Sequence, residues 1–293
     1  MKRWGDRFDG KLLRDVDAIH FLMPFIYPKR TDNEGYISET IDLTAATAFL
    51  EKKNAEKPTY KYTMFQLITA AMMKTLVLRP KLNRYIKCGS MYHRTQISAA
   101  FTVKKQFKDS SDEGLAFIDV VRADTLETIH DTMCKQIYEA RKDGGDAIET
   151  IDIFRKLPRC IGRMIVRALC FCERHGLVLP SITKGDPGYA TVFLTNLGSI
   201  GMKGGYHHLS NWGTNSIFVV IGTIKKRPFF DDNGKVTMKT SVDLGLTIDE
   251  RIADGYYYSK SVKLLKYLLE HPEELEYRLD EKLHGRKKSS KKK

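Results

Sequence analysis

The sequence predicts an α/β fold built on one large sheet. Two observations carry this reading. Segments that alternate apolar and polar residues, as half-buried strands do, intermingle along the whole chain with segments of helical spacing, rather than falling into separate blocks. No internal repeat and no Gly/Ser-rich linker divides them, so residues 1–285 read as one domain. With 293 residues, 42% of them hydrophobic and 29% charged, the chain can bury a substantial core.

The elements follow in order. Residues Asp9 to Lys29 mix Arg, Lys, Asp and Pro around the apolar run Phe21 to Ile26 and read as an arm leading into the fold. Tyr36 to Ile41 alternates as a strand, Leu43 to Leu50 reads as a helix, and Lys52 to Lys61 as a polar loop. Thr63 and Gln66 form a capping-box signature ahead of an apolar helix that must stop before Pro80. Tyr85 to Cys88 and Met91 to Arg94 suggest a hairpin around Gly89, with Gln96 to Lys105 and Leu115 to Val121 as further strands. Asp124 and Glu127 open an amphipathic helix with Leu126, Ile129, Met133 and Ile137 on one stripe and Gly144-Gly145 as its stop. Ala190 to Thr195, Ser216 to Thr223 and Val236 to Ile248 are later strands, the last entered through an Asn233-Gly234 turn. The closing helix, Tyr256 to Leu269, turns Val262, Leu264, Leu265, Leu268 and Leu269 to the core, and a short helix follows Pro272.

One segment stands apart. Between Arg155 and Arg174, arginines recur at 155, 159, 163 and 167, with Ile161, Met164, Ile165, Val166, Leu169 and Phe171 over nearly everything else. Such a helix either lies at a membrane surface with its arginines snorkelling or packs on the protein with one wet edge; packing on the protein is the expectation.

Charge and cysteine usage bound the partners. The formal charge is +13, of which Arg286, Lys287, Lys288 and Lys291 to Lys293 carry six; without them +7 remains, suited to an anionic ligand such as a nucleotide phosphate. The tail 286–293 reads as disordered, either a solvated terminus or a weak contact for an anionic membrane, and nucleic acid is not the expected partner. Five cysteines without a CxxC pair suggest neither a disulfide framework nor a zinc ribbon. No signal peptide and no run of roughly 18 apolar residues is visible, so a cytoplasmic, at most membrane-peripheral, location is expected.

Asp249-Glu250-Arg251-Ile252-Ala253-Asp254-Gly255 lies between the last strand and the closing helix. By composition alone it reads more readily as an ordinary polar turn than as a functional loop. Its company decides the reading. Val192-Phe193-Leu194-Thr195-Asn196-Leu197-Gly198-Ser199-Ile200-Gly201 resembles the strand and turn of the acyltransferase catalytic domain of 2-oxo acid dehydrogenase complexes, and more distantly of chloramphenicol acetyltransferase. Ser216 to Thr223, Asn233-Gly234 and Asp249 to Gly255 follow in that family's order, and Thr63 to Asn83 is similar to its first core helix, so the resemblance spans roughly Tyr36 to Glu274.

The resemblance implies a two-layer α/β sandwich of the chloramphenicol acetyltransferase type, a large mixed sheet packed with helices, assembled as a homotrimer with the site in a channel between subunits. It implies coenzyme A as a substrate and no metal. The family loop reads Asp-His-Arg-x-x-Asp-Gly and its histidine is the base; here that position is Glu250. Asp249, Arg251, Asp254 and Gly255 match the loop's scaffold, with Asp254 at the position of an acid that braces the loop through an arginine. Thr195 falls where a hydroxyl donates to the oxyanion, with Asn196 and Gly198 forming the turn beside it. An unperturbed carboxylate near ~4.3 is a poorer base for a thiol near ~8.5 than an imidazole near ~6.5, unless burial raises it. Tyr206-His207-His208-Leu209 offers a second base. Either one of the two histidines serves the site, or one is surface and the other packs in the fold; neighbours in sequence seldom share a metal. His20, His93, His130, His175, His271 and His284 show no catalytic pairing. Neither room nor linker is visible for a lipoyl domain, so no lipoyl attachment site is expected. The expected function is CoA-dependent acyl transfer to a small-molecule or lipid acceptor; the alternative is an inactive scaffold or acyl-CoA sensor.

Overall fold

The computed structural model describes residues 3–104, 113–143, 157–175, 177, 183 and 186–285. In chain order the elements are β1 (Gly10–Leu12), α1 (Ala18–Ile26), β2 (Glu34–Asp42), α2 (Thr44–Ala55), α3 (Met64–Leu78), β3 (Arg84–Lys87), β4 (Ser90–Arg94), β5 (Ile97–Lys104), β6 (Glu113–Val120), α4 (Leu126–Asp143), α5 (Arg159–Arg174), β7 (Val192–Asn196), β8 (Ile217–Ile221), β9 (Lys225–Phe230), β10 (Val236–Asp249) and α6 (Gly255–Glu270). Seven strands form a mixed sheet in the order β2-β10-β8-β7-β5-β6, with β9 alongside the first half of β10. Only β7 runs parallel to its neighbours, β5 and β8. A small antiparallel sheet, β1-β4-β3, stands beside it.

The layers follow from the two-residue period of the strands. Along β10, Val242, Leu244, Leu246 and Ile248 belong to the main core together with Ile41 of β2, Leu194 of β7, Val219 of β8 and the inward residues of α3 and α6. Asp243, Gly245, Thr247 and Asp249 alternate with them and therefore face the other way, as do Phe193 and Thr195 of β7 and Phe218 and Val220 of β8. One face of the sheet thus carries helices. The opposite face carries the chemistry discussed below.

Helix α3 shows why local chemistry and tertiary packing agree here. The Thr63 amide donates to Gln66 Oε1 at 2.9 Å and the Gln66 amide to Thr63 Oγ1 at 3.4 Å, which closes the capping box. The helix ends as expected before Pro80. Its Lys74 is fully buried, donating from Nζ to the carbonyls of Glu274 at 2.7 Å and Arg278 at 3.0 Å, so the closing turn is tied to the core by an ammonium. The hairpin β3–β4 turns through Cys88 and Gly89 with φ of 50° and 71°, the left-handed pair that suits the twist of flanking strands.

Several expectations are corrected. The segment Asp9 to Lys29 is no mere arm: β1 pairs with β4 and Ala18–Ile26 is helical, capped by the Asp17 carboxylate on the His20 amide at 3.1 Å. The polar loop begins later than Lys52, since α2 continues to Ala55. Strand β9 carries no apolar alternation and contains Pro228, which an edge strand tolerates because its missing N–H costs no ladder bond there. The arginine-rich helix does not pack closely on the protein: Met164 and Phe171 are 66% and 60% exposed, and Arg159, Arg163 and Arg167 are exposed beside them. Its recorded anchor is Glu173, which is buried against Lys87 and accepts from the Tyr189 hydroxyl at 3.4 Å. Arg155, Gly144-Gly145 and the tail 286–293 lie outside the described residues.

Candidate active site

Asp249, the last residue of β10, is completely buried, and its amide donates to the Ser216 carbonyl at 3.0 Å. Its carboxylate receives two parallel bonds from Arg251, Nε to Oδ1 at 2.8 Å and Nη2 to Oδ2 at 2.7 Å. Arg251 is buried as well and its Nη1 donates to the Tyr27 carbonyl at 2.8 Å, fastening the loop to the end of α1. A second buried arginine, Arg30, lies 3.8 Å from Asp249 Oδ2 and donates from Nη2 to the Gly213 carbonyl at 3.1 Å. Burial pushes the Arg30 guanidinium below its ordinary range, with Asp249 acting against that. Tyr258 donates to the Asp249 carbonyl at 2.8 Å, and burial holds its phenol well above the usual range. The loop is therefore a rigid ionic knot in which bidentate geometry compensates the desolvation of its charges.

Asp254 was expected to brace the loop through an arginine. It caps α6 instead, exposed, with Oδ1 accepting from the Tyr257 amide at 2.8 Å, a bond that holds its carboxyl below the usual range. The position explains the change, because an acid just before a helix meets amides that have no partner within it. Gly255 opens the helix with nothing near its Cα, so packing does not demand glycine there. Glu250 is exposed; its amide donates to the Asn33 carbonyl at 3.1 Å and its carboxylate lies over Gly35. Among the described residues no apolar channel surrounds it.

Thr195 sits at the far end of the sheet from Glu250. The register aligns Thr195 with Val220 and Val220 with Gly245, five residues before Glu250 along β10. At about 3.4 Å per residue and 4.8 Å per strand, this separates Thr195 from Glu250 of the same chain by roughly 20 Å. The Thr195 hydroxyl is half-buried and takes no hydrogen bond among the described residues, leaving it available as a donor. Beside it, Asn196 Oδ1 accepts from the Ser199 amide at 3.2 Å, and the turn presses so closely on β8 that a Cβ on Gly198 would lie 2.4 Å from the Gly222 carbonyl oxygen.

A strap, Lys203 to Leu209, crosses this same face. It approaches the sheet over Gly245, where a Cβ would stand 1.8 Å from the Gly205 carbonyl oxygen. The strap ends on Leu209, whose amide donates to Glu34 Oε1 at 2.6 Å and whose side chain is buried with Phe218 and Val220. His207 stacks on Phe218, centroids 4.2 Å apart and planes 10° from parallel, and Phe218 stacks on Phe193 at 4.8 Å. Since Phe193 is the register partner of Phe218 and Thr195 lies two residues beyond it on the same face, His207 and Thr195 share one region of the sheet. His207 Nδ1 is 2.9 Å from the His208 carbonyl oxygen, while the His208 ring stacks outward on His207. His207 thus lies over Phe218, whose register partners are Phe193 and Thr247, between the turn that holds Thr195, Asn196 and Gly198 and the loop that holds Asp249, Glu250, Arg251, Asp254 and Gly255. Arg30, Phe218 and Gly245 escaped the sequence reading; for Gly245 a glycine inside an apolar strand was the available signal. Replacing Gly245 by alanine is expected to lift the strap and destabilise the fold by about 1–3 kcal/mol, as an overpacked contact does. Chemical unfolding with unchanged midpoint would refute this contact.

The position of these residues can be set against known proteins. Residues 180–277 match the family model described as 2-oxoacid dehydrogenases acyltransferase (catalytic domain). The solved structures similar to this fold include a probable dihydrolipoamide acetyltransferase from Listeria monocytogenes 4b F2365, with TM-score 0.59, 15% identity, and coverage of 89% of this chain and 95% of that one. A chloramphenicol acetyltransferase matches with TM-score 0.56 and 12% identity over 89% of this chain and 99% of that one. A truncated catalytic core of the 2-oxoacid dehydrogenase multienzyme complex from Thermoplasma acidophilum matches with TM-score 0.52 and 17% identity, again over 89% and 99%. Comparison with curated protein sequences gives no match. The chain shares the fold of these acetyltransferase structures, and the segment matched by the family model contains Thr195, the strap and the Asp249 loop.

Proposed function

We propose that this chain moves an acyl group between coenzyme A and a small-molecule or lipid acceptor, with His207 as general base and Thr195 as oxyanion donor. One contact carries the choice of base. A carbonyl oxygen only accepts, so the His207 nitrogen facing the His208 carbonyl at 2.9 Å keeps its proton, and Nε2 retains the free lone pair. In this reading Nε2 takes the proton of the acceptor hydroxyl, amine or thiol as that group attacks the thioester carbonyl. The Thr195 hydroxyl donates to the oxygen that gains negative charge, an interaction that lowers such barriers by on the order of 3 kcal/mol. Collapse of the tetrahedral intermediate breaks the carbon–sulfur bond, and the imidazolium returns its proton to the departing CoA thiolate, so acyl acceptor and free CoA leave in balance.

Within one protomer Glu250 lies far from Thr195 and open to water, so in this reading a proton transfer by Glu250 at Thr195 needs the neighbouring subunit's loop. The motif match and the fold support this family of chemistry; the base and the acceptor class are the present reading. Free thiol released from acetyl-CoA or longer acyl-CoAs across a panel of alcohol, amine and thiol acceptors tests it directly. Tight CoA binding by calorimetry with no turnover on the whole panel would favour the sensor instead. A homotrimer belongs to the same reading, and light scattering should return three times the 33.6 kDa chain mass.

Helix α5 supports a second element, attachment to an anionic membrane. Ile161, Met164 and Phe171 are exposed on one side, next to the exposed row Arg159, Arg163 and Arg167, the arrangement that seats an amphipathic helix at a lipid surface. Among the described residues no helix is long and apolar enough to cross a membrane. Flotation with phosphatidylserine-containing vesicles is expected to carry the protein upward, and a Met164→Glu, Phe171→Glu variant should stay at the bottom. Equal flotation of both would remove α5 from the account.

A further inference from the structure

The small sheet has a charge pattern that acyl transfer does not use. Its register sets Lys11 of β1 directly opposite His93 of β4, and His93 directly opposite Arg84 of β3. Directly paired residues on antiparallel strands project to the same face, where like charges repel. Such a row is costly unless something negative meets it; Arg84 has the Asp17 charge and donates to the Ile252 carbonyl at 3.4 Å, while Lys11 and His93 form no ion pair with a carboxylate among the described residues. The row borders a cleft of about 480 Å³, within the range of small-molecule sites, and none of its lining residues is acidic.

The cleft's walls divide by chemistry. Lys11, His93, Arg94 and Arg122 line it on the polar side, while Leu76, Val77, Ile97 and Val120 provide an apolar side. Lys11 and Arg122 are exposed and form no ion pair among the described residues. Asp280, a carboxylate near Arg122, is itself engaged by Arg278 at 3.0 Å. Arg94 follows His93 on β4 and projects to the other face, over the Tyr85 ring at 4.7 Å, where its Nη1 donates to the Tyr189 carbonyl at 3.0 Å and to Thr214. Every charge acting on His93 is cationic. Burial first, then Arg84, Arg122, Lys11 and Arg94, hold its imidazole below the ordinary range.

We infer that this cleft is an anion site for a phosphate ester whose organic body rests on the apolar wall. Lys11 and Arg122 meet the phosphate oxygens, His93 becomes a further donor when the anion arrives, and the wall of Val77, Ile97 and Val120 excludes water from the body of the ligand. A free inorganic anion makes the polar contacts and leaves the apolar wall uncovered. The site is independent of the acyl-transfer reading, because the Thr195 face and the strap contribute nothing to it.

Calorimetry with 1-naphthyl phosphate, inorganic phosphate and 1-naphthol on the full-length protein tests the inference. The phosphate ester is expected to bind at least about 10-fold more tightly than either fragment and to weaken as salt is raised. A Lys11→Ala, Arg122→Ala variant, altered only at exposed positions, should unfold at the same temperature and lose at least about 10-fold in affinity. In proton NMR the His93 ring signals should shift on titration with the ester in the parent protein. Binding unchanged in the variant, no preference for the ester over phosphate, or an unmoved His93 signal would each overturn the assignment.

Discussion

Replacement of His207 by alanine is expected to lower kcat/KM for acyl transfer by roughly 10²–10⁴-fold, the contribution of a positioned proton-transfer group. The fold should tolerate the change. His207 is exposed, and what it gives the structure is chiefly its stacking on Phe218, a contact of about 0.5–1.5 kcal/mol. Added imidazole should restore part of the rate in His207→Ala, because the vacated space above Phe218 admits a small base. Thr195→Ala is expected to lose about 10²-fold in kcat with KM little changed, since its hydroxyl acts on charge that exists only in the transition state. Glu250→Gln should keep most of the activity. The reverse pattern, a dead Glu250→Gln with an active His207→Ala, would transfer the base to Glu250 and require the neighbouring subunit's loop to reach Thr195.

Arg251→Ala is expected to destabilise the fold by about 3–5 kcal/mol, the range for breaking a buried pair by removing one partner. Asp249 would remain fully buried with its two best donors gone, and Arg30 at 3.8 Å is poorly placed to replace them. The same change frees the Tyr27 carbonyl and loosens α1 from the loop. Lysine is not expected to rescue it, because a point charge cannot reproduce two parallel bonds to a carboxylate. Denaturant titration reads the result, and a loss below about 1 kcal/mol would show that Arg251 and Asp249 are less desolvated than the structure has them. Asp254→Ala should cost only about 1 kcal/mol, as removal of a helix cap does. The contrast separates the acid that braces from the acid that caps.

The sequence reached far because local rules and the global fold agree over most of the chain. Thr63 and Gln66 announced α3, Asn233-Gly234 the turn into β10, and the alternation from Val236 to Ile248 the strand that holds the sheet together. It failed where pairing rather than pattern makes the element. Strand β9 has no buried face, and β1 is a three-residue strand that exists only because β4 lies beside it. Helix α5 misled for a related reason: an apolar stripe states that something covers it, without stating what.

At the site the division is sharper. The sequence by itself determined the family-like turn at Thr195, the Asp249 loop with its departure at Glu250, and the histidine pair, since each is a matter of residue type and order. Which of them share a surface was a matter of register and of a strap crossing the sheet. A shift of five residues along β10 is invisible in composition, yet it places Glu250 roughly 20 Å from Thr195. Glycine at 245 allows the strap close enough to lay His207 on Phe218, the register partner of Phe193 two residues from that threonine. Distance and desolvation decide proton chemistry, and both belong to the tertiary structure.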